Sequence, residues 1–219
     1  MVDLDSRENQ NILKPSARPF NNQAHQVDEV AKKIYELIED AKHSNDDIIL
    51  NHNKIKEAFF SPFEPQLKSA QVFLSHSHAD KNKALKVKNY LESETNHRVF
   101  IDSLFWDYKD NILKEMSKYN DTSKIKDAFT LILRESLQNM IEKCPYFVFL
   151  ESKNSVSNQG LSCITYSAWI YEELKIAHSI RESRPTPMME SWQVSHNISP
   201  FLESLETITL SKLSHIINS

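Results

Sequence analysis

The sequence predicts an α/β fold in which helices flank a parallel sheet, and two patterns support this. Short apolar runs typical of buried strands occur at residues 71–75, 98–102 and 146–150. Segments with one apolar face at helical spacing alternate with them, at residues 80–94, 112–119, 125–141 and 167–180. Strands and helices that alternate at these lengths favour parallel pairing, with ligands bound at the carboxyl ends of the strands.

The flanking regions are predicted from weaker signals. Residues 1–24 are polar and read as a flexible arm, and helices are expected over 27–41 and 46–60. Prolines within residues 61–65 end the second helix. The chain therefore divides into an arm with a helical extension, residues 1–68, and an α/β domain, residues 69–219. Within that domain we expect a polar loop at 153–166, last strands at Met188–Trp192 and Thr207–Leu210, and a short helix at Lys212–Ile217.

Composition excludes several classes of function. The 219 residues carry 26 Lys and Arg against 30 Asp and Glu, so the charge gives no reason to expect nucleic acid or an anionic membrane as partner. A single glycine, Gly160, rules out a P-loop and a dinucleotide-binding fingerprint. Cys144 and Cys163 are too few for a four-cysteine zinc site, and we expect two reduced thiols. The N-terminus does not resemble a signal peptide and no apolar run could span a membrane, so a soluble cytoplasmic protein is expected.

The first candidate site follows the first strand, in the segment Ser75-His76-Ser77-His78-Ala79-Asp80. Two histidines two residues apart on an extended chain face one side and could share a metal ion. Lys81 stands where a binuclear hydrolase motif has a further histidine, and no later cluster supplies the missing ligands. We therefore expect no metal here, and we expect Asp80 to be the N-cap of the next helix.

The second candidate site follows the second strand, where Asp102 and Ser103 lead into an aromatic segment at 104–108 that includes Trp106. We expect a loop. Its aromatic side chains could pack onto the sheet, or could stack on a planar ligand or a neighbouring subunit.

The third candidate site is the helix at 167–180, in which Trp169 and Glu173 are four residues apart and share a face. Ile170 and Leu174 belong to the adjoining apolar face. A carboxylate beside an apolar surface is costly unless it is paired or used in a site, but spacing alone favours a solvated Glu173.

Taken together, VFLSHSHADK, VFIDS followed by Trp106, YFVFLES and SAWIYEELKIA resemble the TIR (Toll/interleukin-1 receptor) domain, in particular bacterial TIR-like proteins. The resemblance covers residues 70–180 and implies a flavodoxin-like fold with a central parallel sheet. The chain departs from the TIR pattern in three respects. Ala168 stands where a proline is typical, and residues 103–145 are longer than the usual stretch between the second and third strands. No clear fourth strand is visible after Ile180.

The resemblance also implies an activity. Many bacterial TIR domains cleave NAD+ at the nicotinamide–ribose bond, and some cyclise the ADP-ribose, commonly in defence against phage. Their essential glutamate lies four residues after a tryptophan, which makes Glu173, and not Glu172, the expected catalytic residue. NAD+ would be the substrate, and no separate cofactor is expected.

The remaining expected site residues also come from the resemblance. Ser75, His76 and Ser77 would line the nucleotide pocket, and Trp169 would form its wall. The TIR BB loop, which closes over the ligand and mediates assembly into homo-oligomers, corresponds to Asp102, Ser103 and Trp106. An upstream sensor or a downstream effector would be a further partner. Two alternatives stay open: a non-enzymatic TIR adaptor, and a nucleoside-processing enzyme of similar fold.

Overall fold

The computed structural model describes residues 1–13, 32–37, 39–40, 51–60, 68–117, 123–159, 162–180 and 196–219, without the side chains of 104–108, 123–124 and 159. They fall into two compact units. The first holds the described residues within 1–17, 70–102 and 137–219, and the second holds those within 18–69 and 103–136. The predicted strand at 188–192, the linker at 61–65 and parts of the two N-terminal helices lie outside the described residues.

The first unit contains a four-stranded parallel sheet in the order β1-β4-β2-β3. The strands are β1 (Val2–Asp3), β2 (Ala70–Ser75), β3 (Arg98–Ile101) and β4 (Tyr146–Glu151). Phe73 at the centre of β2 pairs in register with Phe100 and Phe147, and its ring centroid lies 5.3 and 5.7 Å from theirs. Helices flank this sheet, which confirms the predicted α/β class and the three predicted strands.

Helices account for much of the rest of the described chain. They are α1 (Arg7–Ile12), α2 (His52–Phe60), α3 (Lys81–Glu94), α4 (Ser103–Met116), α5 (Ser123–Lys143), α6 (Ala168–Ser179), α7 (Ser199–Glu203) and α8 (Leu210–Asn218). A further stretch, 32–37, is helical. In the first unit, α3 packs against β3 and α8, and α6 packs against β2. None of the helices in the described ranges combines the length and the hydropathy that a membrane span requires.

The N-terminal residues differ from the expected flexible arm. Val2 and Asp3 pair with Leu150 and Glu151 of β4, and Val2 is fully buried. β1 thus occupies the position beside β4 where a doubly wound sheet has its fourth strand. The predicted strand at Thr207–Leu210 is wrong: Thr209 instead caps α8, its side chain accepting a hydrogen bond from the Lys212 N–H at 3.2 Å.

A second, antiparallel sheet replaces the expected polar loop at 153–166. It consists of β5 (Ser157–Gln159), β6 (Ser162–Thr165) and β7 (His196–Asn197) in that order. Residues that flank this sheet, Val156 before β5 and Ile198 after β7, join an apolar cluster with β4, α6 and α7. The cluster consists of Phe149, Val156, Ile170, Leu174, Ile198 and Leu202. This cluster holds the buried face of α6 and so fixes the position of Glu173.

In the second unit, α2 packs against the first part of α5. The Phe59 and Phe129 ring centroids are 5.4 Å apart, and Lys56 donates to Glu135 at 3.0 Å. Helix α4 begins at Ser103, so the aromatic loop predicted after the second strand is wrong and its backbone is helical. Leu104, Tyr108 and Ile112 follow one another at intervals of four, which is the spacing of residues on one face of a helix.

Candidate active site

Three polar residues lie where β2 and β3 end. Ser75 is the last residue of β2, His76 follows it, and Asp102 follows β3 directly. Because the two strands are parallel neighbours, these residues meet at one edge of the sheet, the edge at which α/β proteins bind ligands. All three are buried.

Glu173 completes this group from helix α6. The helix begins after Ser167, whose side chain accepts a hydrogen bond from the Ile170 N–H at 3.2 Å. Glu173 lies on the same buried face as Ile170 and Leu174, and only 1% of its surface is exposed. The solvated glutamate favoured by spacing alone is therefore wrong, and this carboxyl group is held inside the protein.

The contacts of Glu173 explain how the carboxyl group is accommodated. Ser75 donates a hydrogen bond from Oγ to Glu173 Oε2, and the Asp102 carboxyl lies within hydrogen-bonding range. Burial raises the pKa of Glu173 well above its ordinary value, the charge of Asp102 raises it further, and the Ser75 hydrogen bond partly opposes both. A buried carboxyl group with a raised pKa beside a second acid is typical of catalytic sites.

His76 also lies beside Asp102. Its Nδ1 is 3.4 Å from Asp102 Oδ1 and 3.5 Å from the carbonyl oxygen of Leu74. Burial lowers the pKa of His76, and the negative charge of Asp102 only partly opposes this. The imidazole is therefore mainly neutral at pH 7, and the buried group of His76, Asp102, Glu173 and Ser75 has no positive charge of its own at this pH.

Asp80, the expected N-cap, has a different role. It stands at the N-cap position of α3 but makes no side-chain capping bond. Its carboxylate instead accepts hydrogen bonds from Ser152 Oγ and, at 2.9 Å, from Asn154 Nδ2, and Lys83 Nζ lies 3.7 Å away. Asp80 thereby ties the segment after β4 to the start of α3, beside the candidate site.

The other predicted site residues differ in burial and in the unit to which they belong. Ser77 follows His76 and is half-buried, and its carbonyl accepts the Asp80 N–H. Trp169 is half-buried in the first turn of α6, one helical turn before Glu173. Ser103 is buried but opens α4 in the second unit. Trp106 also lies in α4, and its side chain is outside the described part of the structure.

Two further features bear on the chemistry of the site. In the described ranges, no group of three or more His, Cys, Asp or Glu side chains could hold a metal ion. A cavity of about 420 Å³ opens near the amino end of β4, lined by Tyr146, Leu174 and His178 among others. No predicted site residue with a described side chain lines that cavity, so it is separate from the carboxyl-end group.

Sequence reasoning named Asp102 and Glu173 but missed the contact between them. The available signal was topological: Asp102 follows a strand next to β2, and helix α6 packs across β2.

Comparison of the chain with protein-family models, with curated proteins and with solved structures found no match.

Proposed function

We propose that this chain is a TIR-like enzyme that breaks the nicotinamide–ribose bond of NAD+, with Glu173 as the catalytic carboxylate. One observation carries the proposal. The glutamate that the sequence resemblance singles out is buried at the carboxyl ends of two parallel strands, bonded to Ser75 and beside Asp102. A helix surface that served only for packing would have no need of a buried acid at this position.

The chemistry requires a negative charge more than a proton donor. When the bond between C1′ of the ribose and the nicotinamide nitrogen breaks, the electron pair leaves with the ring, which becomes neutral. The ribose is left as an oxocarbenium-like cation, which an ionised Glu173 would stabilise. Water then adds at C1′ and releases a proton, giving linear ADP-ribose, or a nucleophilic atom of the same molecule adds and gives a cyclic product.

The raised pKa of Glu173 fits a substrate that is itself cationic. In the resting protein, burial and Asp102 both favour the protonated glutamate. A nicotinamide ring placed nearby brings a positive charge, which favours ionisation of the glutamate. Since Glu173 is almost completely buried, NAD+ reaches it only when surrounding side chains move aside, so we expect low activity in the dilute resting protein.

The resemblance also supports broader proposals about location, biological role, partners and assembly. The enzyme would act in the cytoplasm, in bacterial defence against phage, with a sensor upstream or an effector downstream. It would self-associate through TIR-type contacts. Specific activity that rises with protein concentration would support self-association, and a constant specific activity would contradict it.

A second candidate function is the cleavage of other N-glycosidic bonds, as in nucleoside-processing enzymes. The second carboxyl group, Asp102, favours it, because paired carboxyls serve many glycosidic reactions. Chromatography of the products from NAD+, from ribonucleosides and from deoxyribonucleosides separates the two. Nicotinamide from NAD+ alone supports the first function, and free base from nucleosides alone supports the second. No cleavage of any substrate, with self-association intact, would favour the non-enzymatic adaptor.

We expect the NAD+-cleaving activity to survive metal removal. Glu173 supplies the stabilising charge, and none of the described residues form a cluster able to bind a metal ion. The measurement is the rate of nicotinamide release before and after dialysis against a chelator, with total metal determined by mass spectrometry. Loss of activity that zinc or another divalent cation restores would contradict this mechanism.

A further inference from the structure

Two acidic side chains from different elements lie side by side in the interior of the first unit. Asp102 comes from the end of β3 and Glu173 from the middle of α6, and both are buried. Glu173 Oε2 accepts the Ser75 hydroxyl, whereas Oε1 finds no hydrogen-bond donor among the described residues. An ionised carboxylate only accepts hydrogen bonds, so two ionised carboxylates within hydrogen-bonding range of each other would repel.

We propose that Asp102 is a positioning residue for Glu173, and that the two carboxyl groups hold one proton between them in the resting protein. The shared proton turns a repulsive contact into an O–H···O hydrogen bond and gives Glu173 Oε1 its missing partner. Asp102 thereby fixes the orientation of Glu173 and sets the pH at which Glu173 becomes charged. The consequence for catalysis rests on the proposed function, but the shared proton does not.

Among the titratable groups near Glu173, Asp102 is the acid that acts on it directly. His76 faces Asp102 and is buried with it. The other elements packed against α6 carry Cys163 on β6 and Glu203 on α7, and Glu203 is exposed. Burial raises the pKa of Glu173, and Asp102 adds to this through both its charge and its hydrogen bond.

Asp102→Asn tests the role of the second acid. The substitution removes a negative charge, and the asparagine amide can donate an N–H to Glu173. Both changes favour the ionised glutamate, so the pKa of Glu173 should fall below its value in the natural protein. Asp110→Asn is the matched control, because the Asp110 side chain is 72% exposed and lies in the second unit; it should leave this titration unchanged.

The experiment is a carbon-13 NMR titration of the glutamate and aspartate side-chain carboxyl carbons, with the Glu173 signal assigned by its loss in Glu173→Gln. The proposal expects Glu173 to titrate well above an ordinary glutamate in the natural protein and in Asp110→Asn, and lower in Asp102→Asn. An ordinary titration of Glu173 in the natural protein, or the same raised value in Asp102→Asn, would overturn it.

If Asp102→Asn does not fold, the Asp102 signal decides the question. A shared proton makes the Asp102 carbon respond to two ionisations in the natural protein and to one in Glu173→Gln. A single response in both proteins would overturn the proposal.

The rate of nicotinamide release against pH separates this inference from the proposed function. If both hold, activity rises with pH as Glu173 ionises, and the rise moves to lower pH in Asp102→Asn. If Glu173 titrates high in the natural protein and lower in Asp102→Asn, but NAD+ is not cleaved at any pH, the shared proton stands and the proposed function is removed. Cleavage whose pH dependence is the same in both proteins removes the positioning role of Asp102.

Discussion

The Glu173→Gln variant is expected to release nicotinamide from NAD+ at least about a hundredfold more slowly than the natural protein. Glutamine keeps the size of the side chain but cannot carry the charge that would stabilise the ribosyl cation. Loss of one preorganised electrostatic contact typically costs this much in rate. Glu172→Gln is the matched control, because Glu172 is the neighbouring acid on the same helix and is only half-buried. Equal losses in the two variants, or no loss in Glu173→Gln, would remove Glu173 from the mechanism.

The stability of the same variant separates catalysis from folding. The pKa of Glu173 is raised in the folded state, so the folded protein retains this proton at pH values where the unfolded chain has lost it. The free energy of unfolding therefore falls as pH rises from the unfolded pKa, near 4.3, towards the raised folded value. Glutamine does not ionise, so Glu173→Gln should be at least as stable as the natural protein at pH 8. A variant that is inactive because it is unfolded would instead melt at a clearly lower temperature.

The Asn9→Ala variant is expected to lower the free energy of unfolding by about 2 kcal/mol or more. Asn9 is 2% exposed and joins both ends of the chain, with Nδ2 donating to the Asp3 carbonyl at 2.7 Å. Its Oδ1 accepts the N–H of the buried Leu210 at 3.0 Å. Alanine leaves the buried Leu210 N–H and the part-buried Asp3 carbonyl without this partner. An unpartnered buried polar group costs about 1–3 kcal/mol.

Asn11→Ala is the control for this measurement, because Asn11 lies in the same short helix and is exposed. Urea unfolding curves of the two variants and the natural protein give the comparison. If residues 1–13 formed the flexible arm that the sequence suggests, both substitutions would leave the unfolding midpoint unchanged.

The elements that could be predicted are those whose signal is local. Strands β2, β3 and β4 are continuous apolar runs because both faces of the sheet are covered, as the full burial of the successive residues Phe73 and Leu74 shows. Helices α3 and α6 can be predicted because each has one apolar face, and Ser167 marks the start of α6. In these segments, local preference and tertiary environment agree.

The elements that were missed depend on distant partners. A strand of two residues, β1, has no periodicity of its own, and its hydrogen bonds come from β4, almost 150 positions away along the chain. β5 has the sequence Ser-Asn-Gln, which contains no good strand former, and its pairing with β6 replaces the missing propensity. Glu173 shows the same limit at the site: the sequence places it beside an apolar face, but only the topology brings Ser75 and Asp102 against it.

Product analysis in water enriched in oxygen-18 tests the central claim most directly. Concentrated protein is incubated with NAD+, the products are separated, and their masses are measured by mass spectrometry. Cleavage of the nicotinamide–ribose bond predicts free nicotinamide without the label, together with linear ADP-ribose labelled at the ribose C1′ oxygen or an unlabelled cyclic product. Intact NAD+ at every protein concentration, or oxygen-18 on a phosphate, would contradict the assignment of Glu173 as the carboxylate of an N-glycosidic cleavage.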